Sequence, residues 1–496
     1  MSFNIKAQIL KERGPSKMKK ILFVGAEAMP FAATGGLGDV LGSLPAAIKN
    51  FGEKDTDVRL IMPLYSAVKD EWRQQMTCEM TFELGLAWRR LYCGIFSLVK
   101  ENVKYYFVDN EYYYKRNGLY GEYDDAERYA YFCMAVMEFL CRSEWKPDIL
   151  HAHDWQAALS IVYLRHKYGL IEGMQNIKCV FTIHNIEYQG NYDFAILGDV
   201  FGLGEAEHSL MEYNGRINLM KAAIECADMV TTVSPKYAEE IKGEEYSHGL
   251  SHILNKYAFK VCGILNGIDY NYYNPRQDKA LVKNYTKTQA VAGKAENKLA
   301  LQLSTGLPQR NDVPMIAIIS RLATHKGLDL VSEIAERLLQ DDIQFVVLGC
   351  GEERFESYFK SLEEKYPDKM KALIEYDREL SRKIYAAADI FLMPSKSEPC
   401  GLSQMIASRY GAFPVVRETG GLYDSIKGYW EHDGVIEGNG FTFANYSSEE
   451  LFERTQAALT LWRTMSRRKK MINRVMSVDF SWNVSAEKYL ALYEII

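Results

Sequence analysis

Short apolar runs recur along the chain, each closed by a small or polar residue and followed by a stretch of helical spacing. Ile21-Leu22-Phe23-Val24 is the first, ending at Gly25, and a helix is predicted through Leu41 to Asn50. Val58 to Pro63, Val103 to Val108, Asp148 to His153, Cys179 to His184 and Met229 to Pro235 read as further strands, the last followed by a helix over Lys236 to Ile241. Runs this apolar on both faces belong inside a parallel sheet covered by helices, which places ligands at the carboxyl ends of the strands. After Gly263 to Asp269 the pattern lapses into a polar stretch through about Lys298. A second series then begins with Pro314 to Ile319 and continues with Ile343 to Gly349, Ile390 to Pro394 and Phe413 to Val416.

The expected architecture is therefore α/β, with two Rossmann-like, doubly wound domains and a hinge near 267–275. Domain limits are set at 18–268 and 269–478, with a final helix over 479–496 that packs back on the first domain. Residues 1–17 lack the apolar core of a secretory signal and are expected to be a disordered extension or an upstream start. At 496 residues the chain exceeds what one core ordinarily holds. A net charge of −6 gives no electrostatic case for nucleic acid or a membrane surface. Nine cysteines without a Cys-x-x-Cys pair signal neither a disulfide framework nor a zinc site, and fit a reducing, cytoplasmic compartment. The 33 tyrosines would suit stacking on sugar rings, but they serve a protein core equally well.

Chemistry concentrates where strands hand over to helices. Ala33-Thr-Gly-Gly-Leu-Gly-Asp-Val40 and Thr419-Gly-Gly-Leu422 are such turns, one in each half. Each would aim backbone N–H groups and a helix dipole at an anion. Two of them suggest a sugar diphosphate held between two domains. Arg321 and Lys326 lie across one strand-to-helix turn and could converge on a diphosphate, the first as a planar fork, the second as a point charge. Glu398, in Pro394-Ser-Lys-Ser-Glu-Pro-Cys-Gly401, could accept from sugar hydroxyls or balance positive charge on a sugar ring. His184 ends a strand. His151 and His153 alternate like a metal pair but lack a third ligand at ordinary spacing. Gly349-Cys-Gly351 is an incomplete dinucleotide fingerprint and is discounted.

Taken together, AEAMPFAATGGLGDV (26–40), HAHDW (151–155), TIHNIEYQG (182–190), LNGID (265–269), SRLATHKGLDL (320–330), PSKSEPCGLSQM (394–405) and ETGGLYDS (418–425) resemble the bacterial glycogen synthase and plant starch synthase family. The resemblance runs from about Met18 to the last helix. It implies a GT-B glycosyltransferase, two Rossmann-like domains facing across a deep cleft, with donor in the second and glucan in the first. The implied reaction is metal-free, anomer-retaining transfer of glucose from ADP-glucose to the 4-OH of an α-1,4-glucan, with no cofactor beyond the sugar nucleotide.

By the family pattern Arg321 and Lys326 take the diphosphate, Glu398 the transferred glucose, and His184 approaches that glucose from the first domain. Gly420 and Gly421 would supply backbone N–H groups. Gly35, Gly36, Asp154, Asn185, Asn266, Cys400, Gly401, Thr419 and Leu422 would line the substrate sites, and Tyr376 would stack on the base. Nucleotide sugar and glucan are the expected partners, without nucleic acid or membrane. The chain departs from the family pattern at Ala33, where a lysine is usual, and at Glu375, where a glycine is usual. Ile406 stands where many GT-B enzymes carry a second glutamate, as is normal for glycogen synthases. Ala33 and Glu375 keep open an alternative, a weakened homologue that binds glucan as a priming or scaffold protein.

Overall fold

The computed structural model describes residues 18–52 and 55–496, so the expectation for residues 1–17 lies outside the described residues. Two compact units result. The first runs to Val233 and takes in Ala238–Ile264 and Trp482–Ile496; the second holds Ser234–Tyr237 and Leu265–Ser481. Ser234–Tyr237 go with the second unit because Ser234 Oγ donates to the Pro399 carbonyl at 2.7 Å and the Lys236 N–H donates to Asp424 at 2.7 Å.

In the first unit the main sheet is built from Lys19–Val24 (β1), Thr56–Pro63 (β2), Thr77–Leu86 (β3), Arg89–Lys100 (β4), Val103–Asp109 (β5), Ile149–His153 (β6) and Lys178–Ile183 (β7). A three-stranded ribbon of Asn191–Tyr192 (β8), Glu212–Tyr213 (β9) and Arg216–Asn218 (β10) interrupts the series before Met229–Thr232 (β11) and Val261–Gly263 (β12) complete it. The order is β12-β11-β7-β6-β1-β2-β5-β4-β3. β1 pairs in parallel with β2 on one side and β6 on the other, so successive crossovers leave β1 in opposite directions. That is a topological switch point, where the loops after β1 and β6 diverge and leave a crevice.

The antiparallel hairpin β3–β4 was not expected. β3, at the sheet edge, is largely exposed and interleaves polar residues with apolar ones, so it carries no fully apolar run. The last helix, Trp482–Tyr493, lies against the helix Gly36–Phe51, and Lys19 Nζ donates to the Tyr493 carbonyl at 2.6 Å.

The second unit is a six-stranded parallel sheet of Met315–Ile319 (β13), Gln344–Leu348 (β14), Met370–Leu373 (β15), Ile390–Met393 (β16), Phe413–Arg417 (β17) and, past the small hairpin Trp430–His432 (β18) and Val435–Glu437 (β19), Phe441–Phe443 (β20). Its order, β15-β14-β13-β16-β17-β20, puts the switch between β13 and β16. The stretch expected to be merely polar through Lys298 contains a helix, Ala290–Thr305, ended by Gly306 in the left-handed region. Its inward face carries lysines. Lys294 Nζ donates to the carbonyls of Ala386 and Tyr410, both at 3.0 Å, and Lys298 pairs with Asp389. Burial of such cations requires these partners, and it disguises the helix as a solvated one.

Candidate active site

In the second unit the switch point brings the loop after β13 beside the loop after β16. Ser320 and Arg321 leave β13, and a single 3-10 turn, Thr324–Lys326, reaches Gly327. Gly327 has φ +73°, and a Cβ there would lie 2.1 Å from the Pro394 carbonyl oxygen, so only glycine lets the two loops meet. The Lys396 N–H donates to the His325 carbonyl at 2.9 Å, closing the contact. Lys326 Nζ then sits 2.8 Å from Glu398 Oε2, which also accepts from Ser395 Oγ at 3.0 Å. Glu398 is buried, 6% exposed, whereas the Arg321 side chain is exposed and has no ion-pair partner among the described residues.

The Thr419–Leu422 turn, after β17, supports this loop rather than standing apart from it. Gly420, φ +43°, would place a Cβ 2.0 Å from the Glu398 carbonyl, and Gly421 would place one 2.0 Å from that of Cys400. The Gly421 N–H donates to the carbonyls of Glu398 (3.1 Å) and Pro399 (3.2 Å). This differs from the expectation for Gly421, since its N–H is directed at the protein instead of outward at a phosphate. Thr419 and Leu422 are buried, with the Leu422 N–H donating to the Thr419 carbonyl at 3.0 Å. Gly401, at φ +70°, packs on Gln404, whose amide donates to the carbonyls of Cys400 (3.1 Å) and Gly401 (2.9 Å). Burial pushes the Cys400 thiol up to about 12, so it is no nucleophile, while hydrogen bonds from Asn266 act the other way. Asn266 is itself buried, with an Oδ1 that has no partner among the described residues.

Tyr376 is 81% exposed on the loop after β15, beside exposed Glu375, and Asp377 caps the next helix by accepting from the N–H groups of Glu379 and Leu380. The discounted glycines prove structural. A Cβ at Gly349 would fall 1.9 Å from the Ser320 carbonyl and one at Gly351 2.4 Å from that of Leu322, so both let the Arg321 loop lie flat on its neighbour.

In the first unit the loop after β1 turns at Thr34-Gly35-Gly36 into the helix Gly36–Phe51. Here too an internal group takes the outward-looking amides. Glu27, 3% exposed, accepts from the Thr34 N–H (2.6 Å), Thr34 Oγ1 (2.7 Å) and the Gly35 N–H (3.3 Å), and from the Tyr120 hydroxyl at 2.6 Å. A turn already holding a carboxylate is a poor second site for a phosphate, which corrects the reading of Gly35 as an anion donor; Gly36 opens the helix and keeps its dipole. Ala33 is exposed, its methyl facing Gly38, where an added Cβ would come within 2.3 Å. Glu27 went unnoticed in the sequence because a glutamate at a strand end carries no periodic or spacing signal.

The loops after β6 and β7 lie side by side. Asp154, at φ +56°, accepts the His184 N–H at 2.7 Å, and burial raises its carboxyl to about 7 against the pull of that bond. The His184 ring meets His153, Nε2 to Nδ1 at 2.9 Å. Burial lowers His184 to about 3, so its imidazole is neutral through the physiological range. Asn185 closes an Asx turn, its Oδ1 accepting from the Glu187 N–H at 3.0 Å. His151 is held by the Tyr493 hydroxyl (2.7 Å) and Thr182 Oγ1 (2.6 Å), which is a packing role. Among the described residues no group of three or more His, Cys, Asp or Glu is placed to hold a metal ion, and no helix is long and apolar enough to cross a membrane.

Two Rossmann-like units with charged loops at their switch points define a glycosyltransferase of the GT-B type, and the comparisons with known proteins agree. The model of the starch synthase catalytic domain matches residues 20–256, and that of group 1 glycosyl transferases matches 304–476. Glycogen synthase of Clostridium botulinum (strain Eklund 17B / Type B) is 44% identical over 96% of this chain and 99% of its own. That of Clostridium novyi (strain NT) is 45% identical over 95% and 98%. The catalytic domain of Starch Synthase IV from Arabidopsis thaliana, bound to ADP and acarbose, superposes with a TM-score of 0.88 at 33% identity, over 97% of this chain and 99% of that one. Sucrose-phosphate synthase from Thermosynechococcus elongatus shares the fold, with a TM-score of 0.60 at 16% identity. The chain belongs to the glycogen synthase and starch synthase family.

Proposed function

We propose that the chain elongates α-1,4-glucan, transferring glucose from ADP-glucose to the 4-OH of a non-reducing end with retention of configuration. The observation that carries this is the Lys326–Glu398 pair at the second switch point, with the exposed guanidinium of Arg321 on the same loop as Lys326. A diphosphate arriving there meets two cations, Lys326 held by Glu398 and Arg321 exposed beside it, which stabilise the negative charge of the leaving nucleotide. Glu398, held by Lys326 and Ser395, keeps a fixed acceptor for a sugar hydroxyl and a negative charge for a ring that becomes cationic as the bond to the nucleotide breaks. In the first unit His184 donates to a hydroxyl of the bound sugar. Tyr376 offers an exposed ring for the base. ADP-glucose is favoured because a 33% identical relative holds ADP.

The alternative, a glucan-binding homologue with weakened catalysis, is favoured by one observation, Ala33 where the family pattern has lysine. The complete Arg321–Lys326–Glu398 arrangement weighs against it, since binding glucan alone makes no use of cations for a diphosphate. Glucose incorporation into glycogen by the purified chain, with ADP-glucose and UDP-glucose in parallel and no added metal, tests both readings. Transfer from ADP-glucose is expected. Glycogen binding with transfer from neither donor would establish the alternative.

A further inference from the structure

His153 lies where the function so far gives it no task. It ends β6, is fully buried, and packs against the rings of Phe23 (centroids 5.6 Å apart) and His151 (4.2 Å), which also touch each other (5.0 Å). Its Nδ1 faces His184 Nε2 at 2.9 Å, and its Nε2 is buried with no hydrogen-bond partner among the described residues. The His184 main chain is held as well, its backbone N–H bound to Asp154 at 2.7 Å. His184 is half-buried, and its Nδ1 has no partner among the described residues.

Those facts decide where the protons are. Two neutral imidazoles carry two N–H groups on four nitrogens, and the Nδ1···Nε2 contact accommodates one of them. Were His184 the donor in that contact, His153 would carry its proton on the orphaned Nε2, and an orphaned buried N–H is the rarer and costlier fault. With the proton on His153 Nδ1, the atom left without a partner is only a bare lone pair. His184 then accepts at Nε2, and its own proton must sit on Nδ1.

We propose that His153 is a positioning residue that locks His184 as the Nδ1–H tautomer, so that His184 offers the sugar a hydrogen-bond donor and never a base. Donation to a sugar rests on the proposed function; the tautomer does not. Both rings are pushed by burial toward the neutral form, which keeps the arrangement intact across the working pH range.

The test is nitrogen NMR of the full chain labelled with 15N-histidine, with His184 signals identified by their loss in His184→Asn. A protonated Nδ1 and a bare Nε2 on His184, unchanged between about pH 6 and 9, are expected. His153→Asn keeps an N–H donor near the place of Nδ1 and should preserve both that signature and most of kcat. His153→Leu removes the donor, so His184 should lose the single-tautomer signature while kcat falls by roughly tenfold or more with KM for the donor nearly unchanged. A wild-type spectrum with the proton on His184 Nε2 overturns the proposal, even if neither variant folds. So does a folded His153→Leu chain with the wild-type signature. Absence of transfer from every sugar nucleotide, with the expected spectrum intact, would count against the synthase reading alone.

Discussion

Lys326 Nζ and Glu398 Oε2 stand 2.8 Å apart on loops that leave adjacent strands, β13 and β16, on either side of a switch point. Each holds the other in place. Removing either side chain would leave the other charge in a largely buried place without its counter-ion. Lys326→Met should therefore cost stability as well as transfer, roughly 3 kcal/mol in urea unfolding. Glu398→Gln should cost less, and the double variant less than the sum. Additive losses would show that the two groups do not interact energetically.

Arg321 differs because it has no ion-pair partner among the described residues. Arg321→Ala should leave the urea midpoint unchanged and lower kcat/KM for ADP-glucose by about two decades or more, the scale of a lost charge-assisted contact in the transition state. Glycogen binding by sedimentation should be untouched. A variant that kept most of its rate would remove the diphosphate from this loop.

Gly420 tests whether the second glycine turn serves the carboxylate or the phosphate. A methyl added at φ +43° and 2.0 Å from the Glu398 carbonyl must displace the 398–400 loop. Gly420→Ala is expected to lower stability by about 1–3 kcal/mol and kcat disproportionately to KM for the donor. Were KM for the donor alone to rise, the turn would be touching the nucleotide directly.

How much of this was legible without coordinates varies with the kind of signal. The parallel strands announce themselves because both faces are apolar, and Arg321, Lys326 and Glu398 lie in loop motifs that the family resemblance marks. The β3–β4 hairpin and the helix Ala290–Thr305 escape because one has a solvated face and the other buries lysines against carbonyls. The glycine turns were legible as turns but not in their orientation. Whether an amide looks outward depends on Glu27 and on the Glu398 carbonyl, which reach those turns from other parts of the chain. His153 offered only its alternation with His151, which suggests a metal pair. The contact with His184 arises from parallel register between β6 and β7, which sequence spacing does not encode.

Asp154 makes a pH prediction whose sign follows from its burial. Its carboxyl is raised from 3.8 to about 7, so the folded chain retains a proton that the unfolded chain releases. The contribution is fully present below about pH 4, declines as the pH rises toward 7, and is level above that. Asp154→Asn keeps an acceptor for the His184 N–H, suits the left-handed backbone at φ +56°, and cannot ionise. Relative to wild type its urea midpoint should gain between pH 5 and pH 8. A difference that stayed constant over that range would mean Asp154 is ionised throughout.

Ala33 bears on both functional readings at the level of a single side chain, and the wild-type rate it is compared with separates them. It is exposed, and its side chain takes no part in the Thr34–Glu27 bonds, so a lysine there leaves those bonds in place. If the chain is a working synthase that tolerates a lost contact, Ala33→Lys should match or exceed wild-type kcat/KM. The gain could reach one to two decades, the worth of roughly 1.5–3 kcal/mol for a charge-assisted bond to the donor. If the chain is a weakened homologue, Ala33→Lys should raise an otherwise faint rate. A large fall from a robust wild-type rate would mean instead that this turn takes its substrate against a small residue, with Glu27 holding it in that shape.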